Sequence, residues 1–213
     1  MRRRACLPGC LLDCENHGTL GPEHAAVPTV LTHAVVGWTV AKTLAPPPVG
    51  PRIWLPAILA GVLADLDSFG LVLGIPYGHP LGHRGLSHSL LFGLLLGMLL
   101  AAVFLHRMPC RERLRYGLVF SLAAMLHGPL DALTNGGLGV ALFAPVSNGR
   151  MFFPVTPIEV SPIGLSGPAI RRLAAVLASE VLWVWLPCGL LVLTGVLFRR
   201  LQKRQNESDS GLR

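Results

Sequence analysis

The chain has 213 residues, 52% of them hydrophobic and only 14% charged, with a formal net charge of +7. A soluble domain carries about 25% charged residues, so this chain cannot cover a water-facing surface of its own, and the lipid bilayer is its expected solvent. The positive charges cluster at the ends of apolar runs, a pattern that sets orientation in a membrane; no nucleic-acid motif accompanies them, and no nucleic-acid partner is expected.

Residues 1–27 are polar, lack periodicity and hold three of the five cysteines, Cys6, Cys10 and Cys14. With Cys110 and Cys188 the set is odd and scattered, which is not a disulfide framework. The Cys6-x3-Cys10-x3-Cys14-x2-His17 spacing fits no common metal site. The apolar character begins at Pro28, directly after Val27. Residues 1–26 are expected to be either absent from the native protein or disordered and dispensable, the alternative being a regulatory or metal-binding tail.

Residues 29–45 are the first expected helix, ended by Ala45-Pro46-Pro47-Pro48 because proline cannot continue it. Residues 53–66 are the second, too short at 14 residues to span about 30 Å of hydrocarbon. Residues 68–76 stay apolar but contain glycine and read as re-entrant, and 78–85 form a polar loop. Residues 90–105 have no polar side chain; with the preceding turn from Leu86 they reach spanning length and make the clearest transmembrane helix. A basic loop over 107–115, a fourth helix over 116–133 and a Gly- and Pro-rich loop over 134–167 follow. Residues 173–198 form the last helix, with a single charge, Glu180, and an expected kink at Pro187. Residues 199–213 are a basic, then polar, tail. The expected class is all-α: a multi-pass membrane domain of about five helices over 28–198, some short or re-entrant.

Lys42 and Arg52, then Arg107, Arg111, Arg113 and Arg115, then Arg199, Arg200, Lys203 and Arg204 belong on the cytoplasmic side. Five passes satisfy all three groups with the start of the first helix outside; Arg171 and Arg172 disagree mildly. That topology delivers His33, the Asp65-Leu66-Asp67 pair, His83 with His88, and His127 with Asp131 to one membrane face. Ionisable side chains at membrane depth are costly and are usually kept for function, and His and Asp bind Zn²⁺ or Mn²⁺.

His127 and Asp131 lie four apart, on one helix face. His83 and His88, five apart, point about 140° from each other on a helix and converge only if His83 sits in the loop, with Ser87 capping a helix that begins at His88. Asp65 and Asp67 diverge on an α-helix, so either the helix breaks there or one of them does not ligate. The expected metal ligands are His33, Asp65, His83, His88, His127 and Asp131. Asp67 is the candidate general base. Arg84, which could equally pair with Asp65 or Asp67, and Arg150 are candidates for holding an anionic group. His17, His24, His79 and His106 are read as ordinary polar residues, Trp183 and Trp185 as lipid or packing residues, and Glu180 as a ligand, a proton carrier or an arginine partner.

Pro28-Thr29-Val30-Leu31-Thr32-His33, Asp65-Leu66-Asp67, His83-Arg84-Gly85-Leu86-Ser87-His88-Ser89 and His127-Gly128-Pro129-Leu130-Asp131 resemble the YdjM/YbcI-like bacterial inner-membrane proteins. Phe143-Ala144-Pro145 and the stretch from Arg150 to Pro154 are similar to that family's later loop. The resemblance implies a multi-pass helical protein of the inner membrane and a metal-dependent hydrolase; it implies no substrate. The leading expectation is hydrolysis of a lipid or membrane-proximal ester, a phosphoester among them, with a divalent metal activating water: zinc first, manganese or magnesium in its place. The alternatives are a metal carrier or sensor using the same ligands, and a metal-free lipid phosphatase with a histidine nucleophile.

Overall fold

A computed structural model of the protein describes residues 26–27, 29–162 and 167–210. The Cys6–His17 cluster, His24 and the Arg2-Arg3-Arg4 run lie outside them. The described residues form α1 (Val30–Leu44), α2 (Pro51–Val62), a 3-10 segment (Leu63–Ser68), α3 (Phe69–Val72), a 3-10 turn (Leu86–His88), α4 (Leu90–Phe104), α5 (Cys110–Met125), α6 (His127–Ala132), α7 (Gly167–Glu180), a π turn (Val181–Trp185) and α8 (Leu186–Ser210). A two-residue strand, β1 (Ala26–Val27), pairs antiparallel with β2 (Ser161–Pro162). The class is all-α, as expected from the sequence.

Small residues decide how the helices meet. Without water to squeeze out, helices in a membrane associate through close backbone approach at Gly, Ala and Ser. On α2, Gly61 lies so near α1 that a Cβ there would sit 2.6 Å from the His33 carbonyl oxygen. On α4, a Cβ at Gly93 would sit 2.7 Å from the backbone nitrogen of Met125, at the end of α5. The resulting core gathers Val36, Val40, Ala57, Ala60, Phe120 and Ala123.

Several element boundaries differ from the sequence reading. The second helix does not stop at 66: α2, the 3-10 segment and α3 run continuously over Pro51–Val72, 22 residues. Phe69, Val72 and Leu73 project outward directly after the two aspartates. The turn at Leu86–His88 does not extend α4, because Ser89 is extended and caps the helix instead of Ser87, accepting from the Phe92 backbone N–H at 3.1 Å. That leaves α4 at 15 residues. The basic stretch after it is not a loop from 107 to 115, since α5 begins at Cys110 and carries Arg111, Arg113 and Arg115 on its first turns. The final helix does not end at 198 but continues to Ser210. Its irregularity precedes Pro187. Proline has no N–H to give to the carbonyl four residues back, and the helix adapts in the π turn, where the Leu186 N–H reaches the carbonyl of Val181.

Glu180 is buried and ties the last helix to the first. It accepts from the Thr29 N–H at 2.6 Å, from the Thr29 hydroxyl at 2.6 Å and from the Thr32 hydroxyl at 2.8 Å. Trp185 donates its indole N–H to the same Thr32 oxygen at 2.8 Å. A carboxylate here satisfies donors at the start of α1 and complements its dipole.

A candidate metal centre

Two sets of side chains are each compact enough to surround one cation: His33, Asp65, His127 and Asp131, and Asp65, His83 and His88, the ligand atoms of each set lying within 4.8 Å of one another. They come from α1, the 3-10 segment after α2, the turn before α4 and α6. The 3-10 geometry answers the question posed by Asp65 and Asp67. At three residues per turn, positions two apart differ by about 120° rather than the roughly 160° of an α-helix, so both carboxylates reach the same region.

His127 donates its Nδ1–H to the Gly61 carbonyl at 2.6 Å, which leaves Nε2 as a lone pair. That Nε2 lies 3.1 Å from His88 Nε2, 3.3 Å from Asp65 Oδ1 and 3.8 Å from Asp131 Oδ2. His88 Nε2 is 3.1 Å from Asp131 Oδ2 and 3.6 Å from Asp65 Oδ1. His33 Nε2 is 3.3 Å from the other Asp131 oxygen. Four ligands bonded at 2.0–2.2 Å to a tetrahedral ion stand about 3.3–3.6 Å apart, and the distances in the site, 3.1 Å to 3.8 Å, bracket that spacing.

The polar bookkeeping points the same way. None of the four carboxylate oxygens of Asp65 and Asp131, neither ring nitrogen of His33 and not the Nε2 of His83 makes a hydrogen bond, although all are buried; Asp131 is left with ion-pair neighbours alone, His33 on one oxygen and Arg84 and His88 on the other. Buried polar groups are ordinarily satisfied, and unpaired buried carboxylates are costly. A divalent cation fits this donor set.

Asp67 stands one layer out. It accepts from His83 Nδ1 at 2.6 Å and from the Ser87 hydroxyl, and lies 3.1 Å from His88 Nδ1. With both oxygens engaged it holds two imidazoles in place; this is a positioning task where the sequence suggested a general base. Arg84 is fully buried with a positive φ of 59°. It pairs with Asp131, Nε to Oδ2 at 3.2 Å, and not with Asp65 or Asp67, and donates to the Gly136 carbonyl at 2.7 Å. Arg150 does not face the centre. Its donors go to the carbonyls of Tyr77 at 2.7 Å, His83 at 3.0 Å and Gly139 at 3.2 Å, clamping the later loop onto the histidine segment. Tyr77, which the sequence did not single out, stands edge-on to His83 with centroids 5.3 Å apart, and burial pushes its phenol above the ordinary range while the Arg84 charge opposes this. Glu180 contributes nothing to the centre, and His79 and His106 lie away from it with bonds to local backbone.

Residues 28–206 match the family model for the YdjM inner membrane protein. The chain belongs to the YdjM family. Within it, the inner membrane protein YbcI of Escherichia coli (strain K12) is 36% identical over 175 residues, which cover 82% of this chain and 99% of the relative. No solved structure matches the chain. Family membership makes this a membrane protein. Among the described residues two helices, Pro51–Val72 and Leu173–Asn206, are long and apolar enough to cross a bilayer, while α4 is apolar but shorter.

Proposed function

We propose that this YdjM-family protein is a membrane-bound, metal-dependent hydrolase acting on a lipid or other membrane-proximal ester, with phosphoesters foremost. One observation carries the reading: buried His and Asp side chains converge at metal-ligand spacing, and the carboxylate oxygens of Asp65 and Asp131, the ring nitrogens of His33 and the Nε2 of His83 make no hydrogen bond. A divalent cation, zinc or else manganese or magnesium, activates water near neutral pH at such a centre and polarises a phosphoryl or carbonyl oxygen. The protein's own residues do the rest. The Gly61 carbonyl and Asp67 fix the imidazoles. Arg84 braces Asp131 and keeps its Nη2 without an acceptor, a donor for a substrate oxygen. Asp67, with 9% of its side chain exposed, stands at the outer edge of the site and gives a released proton its way out, whereas both Asp65 oxygens are buried.

An apolar cavity of about 370 Å³ supports a lipid substrate. Val36, Leu126, Leu130, Leu133, Trp183 and Cys188 line it; the last helix supplies one wall, and Val36 and Leu130 come from the α1 and α6 that carry His33, His127 and Asp131. The basic groups at Lys42–Arg52, on α5 and on the end of α8 favour a reading of five crossings with the site on the extracytoplasmic face of the inner membrane. The test is metal analysis of the purified protein, followed by hydrolysis assays on phospholipid and generic phosphoesters with and without chelator. Hydrolysis that the chelator abolishes and the metal restores is expected. A protein that retains metal but hydrolyses nothing would instead support a carrier or sensor.

A further inference from the structure

The centre offers more ligands than one catalytic cation with an open position uses. The four imidazoles stand in succession: His33 stacks on His127 with centroids 3.7 Å apart, His127 meets His88 edge-on at 4.5 Å, and His88 meets His83 edge-on at 5.3 Å. His33 belongs to the first compact set and His83 to the second; Asp65 belongs to both. Asp131 also divides its oxygens, Oδ1 toward His33 and Oδ2 toward His88.

His83 is the telling residue. It is fully buried and its Nδ1 donates to Asp67, so its Nε2 is a lone pair with no donor to receive. Asp67 fixes the ring, and a ring nitrogen of His83 lies within 4.8 Å of ligand atoms of Asp65 and His88. Carboxylate-oriented imidazoles are the usual form of a metal-binding histidine.

We infer that the centre is binuclear: one divalent cation held by His33, Asp65, His127 and Asp131, a second by Asp65, His83 and His88, with Asp65 bridging. The inference rests on the metal-dependent reading above and sharpens its substrate. The charges of Asp65, Asp67 and Asp131 against Arg84 balance one divalent cation. A second leaves the centre positive, which suits an anionic phosphoester over a neutral carboxylic ester. It also makes the second cation the weaker of the two.

The full chain, purified in detergent and stripped with chelator, is titrated with Mn²⁺ in phosphate-free buffer. Manganese suits imidazole and carboxylate and is a poor match for thiolate, which keeps the Cys6–Cys14 cluster out of the count. Two Mn²⁺ per chain, with the electron paramagnetic resonance signature of a coupled pair, are expected for the wild type. The second equivalent is lost in His83→Ala while the first stays. A single uncoupled Mn²⁺ in the wild type, unchanged by His83→Ala, overturns the binuclear assignment and leaves the metal-dependent reading standing. No bound Mn²⁺ at all overturns both. The wild-type stoichiometry and coupling decide the question even where the variant fails to fold.

Discussion

At the scale of single residues, the decisive bonds are the ones that turn imidazoles inward. His127 is held by a backbone carbonyl and His83 by a carboxylate, and the first arrangement presents Nε2 to Asp65 and Asp131. His88→Ala and His127→Ala are therefore expected to lose bound metal as measured by elemental analysis, with metal affinity down at least about 10-fold. His106→Ala, next to the exposed start of α5, should keep its metal. Glu180→Ala gives the contrasting pattern. It strips the partner from the Thr29 N–H and the Thr32 hydroxyl and should cost about 1–3 kcal/mol of stability, read as a lower melting temperature with metal content unchanged. The His and Asp side chains that converge in the candidate metal centre were legible in the sequence because they are conspicuous in apolar surroundings. The role of Glu180 was not, since its partners lie 148 and 151 residues away and no local pattern encodes a contact at that range. The carbonyl of Gly61 was equally invisible, because every residue has one.

At the scale of elements, the site depends on how closely α1 and α2 approach. Gly61 serves twice, giving its carbonyl to His127 and its lack of a side chain to the His33 backbone. Gly61→Ala places a methyl group 2.6 Å from that oxygen, so the helices must part. An overpacked contact of this kind costs about 1–3 kcal/mol; the variant should melt earlier and release metal more readily, both measurable in detergent. The helix count was readable from apolar runs, but several ends were not. The sequence required a break near Asp65 and Asp67, and the 3-10 segment supplies a tightening without interrupting the helix, which is why Pro51–Val72 reaches spanning length after all. Ser87 looked like a cap by position, yet its hydroxyl serves Asp67 and Ser89 takes the cap. A hydroxyl can do either task, and only the tertiary partner chooses.

At the scale of the whole molecule, the proposed orientation makes a topological prediction. Reporter fusions at Gly78 and Gly137 should read extracytoplasmic and one at Arg111 cytoplasmic; the reverse pattern would move the site to the cytoplasmic face. A second consequence follows from α3. Phe69 is 65% exposed, Val72 84% and Leu73 80%, immediately beyond the partly exposed Asp65 and Asp67. If the protein is the lipid hydrolase proposed above, an oily rim beside this edge of the centre lets substrate reach it sideways, from within the leaflet, without first dissolving in water. The quantity that sets the rate is then a two-dimensional one, the mole fraction of substrate in the surrounding film. Adding inert detergent or lipid at a fixed total amount of substrate should slow hydrolysis in proportion to the dilution of the surface, whereas a rate that tracked bulk concentration alone would mean that substrate arrives through the water.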